Sequence, residues 1–150
     1  MNAKSFLKTL SIIHAGLLAS LTGFAIFCYF QVGSFEARMS EGNLFIYLVP
    51  VAAVAGYFLS QWVFRKQIQS ISKNRPLLQK LEKYQKALLI KYALLEGPGF
   101  LAVIAYYLSG NALHLVIAIA LIVYLFVQRP TVEKIKADLP LSYEEEKEFK

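Results

Sequence analysis

Long apolar runs alternate with short polar breaks along this chain, at a length that suits membrane crossing. Residues 9–30 and 44–64 contain no Asp, Glu, Lys or Arg. A third run, 87–108, carries Lys91 and Glu96, and a fourth, 112–127, is the shortest. About 20 apolar residues cross a bilayer core as a helix, so the pattern predicts four transmembrane helices. Ser109-Gly110-Asn111 separates the last two; Gly and Asn tolerate the left-handed backbone of a tight helical turn. The fourth helix would be only about 24 Å long, so Gln128 and Arg129 should reach the headgroups.

The polar segments also carry helical signals. Ile68 and Ile71 continue the spacing of the second span, and Asn74-Arg75-Pro76 then breaks it. Pro76 suits the first turn of a new helix, with Leu77, Leu81, Tyr84 and Leu88 on one face. Residues 65–86 are therefore expected to project as a basic helical hairpin. In the tail, 128–150, Arg129-Pro130 ends the last span and Thr131 caps a helix through Asp138. Ser142 and Glu145 form a capping-box pair. The acidic cluster Glu144–Glu146 is expected to be solvated rather than paired with the hairpin. The fold class is all-α: an integral membrane four-helix bundle with a cytoplasmic helical extension between helices 2 and 3. Residues 1–150 form a single transmembrane domain.

Composition agrees. The chain is 57% hydrophobic and 17% charged, with a mean hydropathy of +0.47; soluble domains lie near 45–50% and about 25%. The net charge of +6 changes the picture only through its placement. Lys4 and Lys8 precede the first span, and the first loop has Arg38 beside Glu36 and Glu41. The second connection has Arg65, Lys66, Lys73, Arg75, Lys80, Lys83 and Lys86; the tail has Arg129, Lys134, Lys136, Lys147 and Lys150. Positive charge thus alternates sides, which predicts a multi-pass cell-membrane protein with both termini cytoplasmic. Tyr47, Tyr106 and Tyr107 would mark the outer interface, and Trp62, Tyr92 and Tyr124 the inner one. Because the cations flank apolar runs, nucleic acid is not an expected partner; membrane lipids are. The first run exceeds a signal-peptide core and no A-x-A-like site follows it, so it reads as an uncleaved span. Cys28 reads as a packing residue. Without Cys/His clusters, neither metal nor cofactor is expected.

Helices in lipid associate where backbones approach closely. Ala15, Ala19 and Gly23, and likewise Ala52, Gly56 and Ser60, make small-residue stripes expected to pack within the bundle or against another copy. The chemistry concentrates on Glu96. An ionisable group in a span costs about 2.5–3.5 kcal/mol at the centre, so it must be neutralised, paired or beside water. Gly97, Pro98 and Gly99 follow it. Pro98 cannot donate to the carbonyl of Leu94, which predicts a kink. His14, Gln61 and Tyr92 are expected to gather with Glu96 into a buried polar cluster, with His14 and Glu96 as a pair. Lys91 is expected to snorkel to the surface, and His114 to be interfacial.

Residues 74–108 resemble the ion-carrying helix of rotary ATPase c subunits. A basic residue and a proline in Asn74-Arg75-Pro76 lead into "ALLEGPGF", Ala93 to Phe100. The resemblance implies an ion-carrying role for Glu96. It covers that segment alone, and "AAVAG" in the preceding helix stands where those subunits have a dense glycine repeat.

No phosphate loop, nucleophile elbow or HExxH motif occurs, so no enzyme is expected. The sequence points to a non-enzymatic helical component, as a homo-oligomer or a small subunit of a larger membrane complex. The alternative is an ion- or proton-linked translocation element centred on Glu96.

Overall fold

The computed structural model describes residues 3–39 and 43–149; Glu41 and Lys150, counted in the charge pattern above, lie outside the described residues. Among these, regular structure is helical: α1 (Ala3–Val32), α2 (Phe45–Gln69), α3 (Leu77–Ser109), α4 (Ala112–Val127), α5 (Val132–Asp138) and α6 (Tyr143–Lys147). Three helices, α1 to α3, are long and apolar enough to cross a membrane; α4 qualifies together with α5, from which it is bent by 83°.

Local chemistry sets the boundaries. Pro76, at φ −56° and ψ 145°, precedes α3, because its ring fixes φ and no N–H is needed there. Gly110, at φ +67°, closes α3 by donating its N–H to Tyr106 O. The Asn111 side chain then accepts from Leu113 N and opens α4. Thr131 caps α5, and Ser142 with Glu145 forms the capping box of α6.

The helix α3 is the hub. It packs on α1, α2 and α4, whereas α1 and α2 hardly meet. Two apolar clusters fill the bundle. One end gathers Phe6, Leu10, Phe64, Tyr84, Leu88 and Phe149. The other gathers Leu21, Cys28, Val49, Val103, Tyr106 and Ala118. The first cluster includes Ala3 and Phe149, so the first and last described residues lie at one end of the bundle. At the other end the first loop is tied to the α3–α4 turn. Ala112 N donates to Glu36 O at 3.0 Å, Arg38 N to Asn111 Oδ1 at 3.0 Å, and Tyr106 Oη to Ser34 O at 2.7 Å.

The basic connection is helical on both sides of a short break, with α2 running to Gln69 and α3 beginning at Leu77, but it does not stand alone, because the tail packs against it. Ile135 and Leu139 of the tail pack with Leu81 and Tyr84 on the apolar face of α3. Lys80, only 1% exposed, donates to Pro140 O at 2.9 Å and pairs with Glu145 Oε2 at 2.8 Å. Tyr84 Oη donates to Asp138 Oδ2 at 3.1 Å. Glu144 stays solvated, at 79% exposure; for Glu145 the expectation failed because the tail carries apolar anchors, and once they dock the covered ammonium requires a partner.

Burial alone would raise the Glu145 carboxyl, but hydrogen bonds from Lys80 and from the Ser142 N–H outweigh it and hold it below its usual range. The bridge therefore favours docking at neutral pH, and that contribution fades as pH falls through the lowered value. Leaving a buried cation unpaired costs about 3–5 kcal/mol in a closed site, and less here because Glu145 keeps 17% exposure. Limited proteolysis of the tail is expected to accelerate in Glu145→Gln at neutral pH. In the wild type, acidification below the usual carboxylate range should have the same effect.

Candidate functional site on the outward face of α3

Pro98 has no N–H, so the Leu94 carbonyl loses its ordinary helical donor. Yet α3 runs through Pro98 as continuous helix. The freed carbonyl faces α2. A Cβ on Gly56 would lie 2.5 Å from Leu94 O and 2.7 Å from Pro98 Cγ. Only a glycine lets α2 come this close, and a Cα–H beside a carbonyl offers a weak substitute for the missing donor. Gly56 and Ser60 are buried and Ala52 is half-buried, so the small stripe of α2 does pack within the bundle. On the opposite flank, a Cβ on Gly99 would meet Leu21 Cδ2 at 2.7 Å. Pro98 and Gly99 thus seat α3 against α2 and α1.

Gly97 points elsewhere: nothing lies within 4 Å of a Cβ placed on it. Glu96, beside it, is partly exposed. Its Oε1 accepts from Ser20 Oγ of α1 at 3.1 Å. No hydrogen bond to Oε2 from a described residue occurs. Gly16 and Gly23, one turn either side of Ser20, also face open space. Ala19 and Ala93 are exposed nearby on α1 and α3. The carboxyl therefore lies at the outer edge of the α1–α3 seam, between glycines that face open space and the Phe24–Phe100 ring pair one turn further along. The stripe Ala15, Ala19 and Gly23 is exposed throughout; it does not pack inside the bundle.

The expected cluster of four polar residues separates into three sites. His14 Nε2 lies 2.7 Å from Leu125 O; a carbonyl only accepts, so Nε2 carries the proton. The His14 and Tyr92 rings sit 5.1 Å apart, and Tyr92 Oη donates to Gln128 O at 2.9 Å. Gln61 donates instead to the Tyr124 hydroxyl. Glu96 bonds to Ser20, not His14. The reason is depth. Ser20 lies about 9 Å further along α1 than His14, and Glu96 is one turn past Tyr92, which is level with His14.

One further expectation is corrected. Lys91 does not snorkel: it is buried, with Nζ 2.7 Å from Gln128 Oε1 and 4.6 Å from the Phe64 ring centroid. His114, in the first turn of α4, is 1% exposed, and neither ring nitrogen has a hydrogen-bond partner among the described residues. Ser20 and Gln128 are the residues the sequence concealed. A hydroxyl within an apolar run carries no signal of its own, and Gln128 looked like a headgroup residue. Among the described residues no three His, Cys, Asp or Glu side chains group as metal ligands.

Gly56 and Gly97 make a matched pair for testing. Gly56→Ala is expected to destabilise the bundle by about 1–3 kcal/mol, the usual cost of overpacking, because its nearest obstacle is backbone. Gly97→Ala should cost nothing and gain up to about 1 kcal/mol of helix propensity. Thermal melts followed by circular dichroism in one detergent should separate the two variants in that order.

No family model, no curated protein and no solved structure matches this chain.

Proposed function

We propose that the chain crosses the membrane four times, with both termini in the cytoplasm, and serves as a non-enzymatic helical component of a larger membrane assembly. It docks through the Glu96 face. The observation that carries this reading is a partly exposed carboxyl within a span, beside glycines of α1 and α3 that face open space. Facing lipid, such a group is costly. A neighbouring transmembrane helix removes that cost by placing a hydroxyl, amide or cation against the free oxygen of Glu96. Gly16, Gly23 and Gly97 let its backbone approach closely, which is how helices associate in lipid. The four-span arrangement is supported by α4 running beside α3 along the bundle and by both termini sharing one end. The lysines and arginines concentrated at that end support a cytoplasmic placement.

Ion- or proton-linked translocation would use the same carboxyl. It requires Glu96 to exchange with water along a polar path, and its one described hydrogen bond goes to Ser20. Docking has the stronger support.

Gly97→Leu places a side chain in open space and should leave the fold intact. After native detergent extraction, the wild type is expected to run as an assembly and Gly97→Leu as a lone chain. Glu96→Ala should weaken the assembly about fivefold to thirtyfold, the value of a hydrogen bond of about 1–2 kcal/mol in a membrane. A wild type that extracts as a lone chain would defeat the proposal. Labelling of Glu96 by a carbodiimide in a pH-dependent manner, with the assembly unaffected by Gly97→Leu, would favour translocation instead.

A further inference from the structure

A second site lies on another seam of the bundle, between α1 and α4. Toward the end that holds the termini, the two helices leave a hollow of about 480 Å³. Its walls are apolar, with Ala15 and Leu18 from α1 and Phe126 from α4. Ser11 and Arg129 bring polar groups to its lining, and none of the lining residues is acidic. His14 forms part of the wall, but its Nε2 is committed to Leu125 O.

Arg129 is the decisive residue. Its backbone is held on both sides: its N–H bonds to Phe126 O at 3.3 Å, and its carbonyl accepts from Lys134 Nζ at 3.1 Å. Pro130, buried, follows it. The guanidinium is exposed and has no hydrogen bond or ion pair with a described residue. Lys134 is already occupied by Val127 O and Arg129 O. The exposed Glu133 carboxyl, in the next turn, makes no ion pair with it among the described residues. The result is one uncommitted cation on a fixed backbone at the rim of an apolar hollow.

We propose that this hollow binds an anionic phospholipid, with its phosphate on Arg129 and one acyl chain lying in the α1–α4 seam. A guanidinium matches phosphate bidentately, and with the Lys134 ammonium held on the Arg129 carbonyl a headgroup that adds a further cation, such as choline, is disfavoured. The seam has the right length. From Ser11 to Thr22 is about 16 Å along α1, close to half of a bilayer core of about 30 Å. At Thr22 a second hollow of about 540 Å³ begins, lined by Ile26, Leu115 and Ile119 among others. Two apolar hollows in succession on one seam suit a chain, whereas a soluble anion would use only the charged rim. The proposal rests on the membrane-spanning reading and is independent of the Glu96 interface.

Native mass spectrometry of the full chain in detergent, with phosphatidylglycerol or phosphatidylcholine added, tests it. The wild type is expected to retain phosphatidylglycerol preferentially. Arg129→Gln should reduce that preference about tenfold, the worth of a charge-assisted hydrogen bond. Arg65→Gln, which removes a cation of α2 at the same end, should leave it unchanged. Ala15→Trp, which fills the hollow from an exposed position, should lower retention of both lipids. Gly97→Leu should keep the lipid, so failure here is separable from failure of the docking interface. An unaltered preference in Arg129→Gln, or an equal loss in Arg65→Gln, would overturn the proposal.

Discussion

The bundle depends on how closely α2 approaches α3 at Gly56. Pro98 removes a backbone donor in the middle of a helix long and apolar enough to cross a membrane, where an unsatisfied carbonyl would be expensive. The chain meets this by seating the Leu94 carbonyl and the proline ring directly on a glycine. That contact fixes the rotation of α3 about its own axis. With Leu94 and Pro98 turned to α2, and Gly99 turned to Leu21 of α1, Glu96 and Gly97 have only the outward direction left. The exposed carboxyl is thus a consequence of the proline seat.

Elsewhere, several polar groups on the long apolar helices are matched by neighbours. His14 and Tyr92 hold the last turn of α4 through Leu125 O and Gln128 O. Lys91 is answered by Gln128, and Gln61 by Tyr124. At the terminus end, Lys80 and Glu145 close the tail over α3. Among the groups with no hydrogen-bond partner in the described residues, three bear on function: the second oxygen of Glu96, the guanidinium of Arg129 and the imidazole of His114. The first two face outward, where another molecule can meet them. His114 is enclosed, and nothing described here explains its lack of partners.

Much of the fold was legible in the residues. Pro76, Gly110, Thr131 and Ser142 mark helix ends through local chemistry that needs no tertiary context. Leu81, Tyr84 and Leu88 declared the buried face of α3 because its terminal part is amphipathic. Within the spans that signal disappears. A helix apolar on every side does not reveal which side faces lipid, so the outward stripe of α1 and the inward stripe of α2 looked alike. Depth was equally hidden. Apolar runs give the membrane level only to within a turn or two, and α1 and α3 extend beyond them by different amounts. An error of one turn was enough to pair Glu96 with His14 instead of Ser20. The tail was misjudged because its charges were more conspicuous than Ile135, Leu139 and Phe149.

The most direct measurement is the reactivity of an unmodified cysteine at position 97, in Gly97→Cys on a Cys28→Ala background, toward a small membrane-permeant thiol reagent. The rate should be read in native membranes and again in the isolated chain. An outward face covered by a neighbouring helix predicts slow reaction in the membrane and fast reaction after isolation. Equal rates in both would mean that no neighbour covers Glu96, and would contradict a docking interface there.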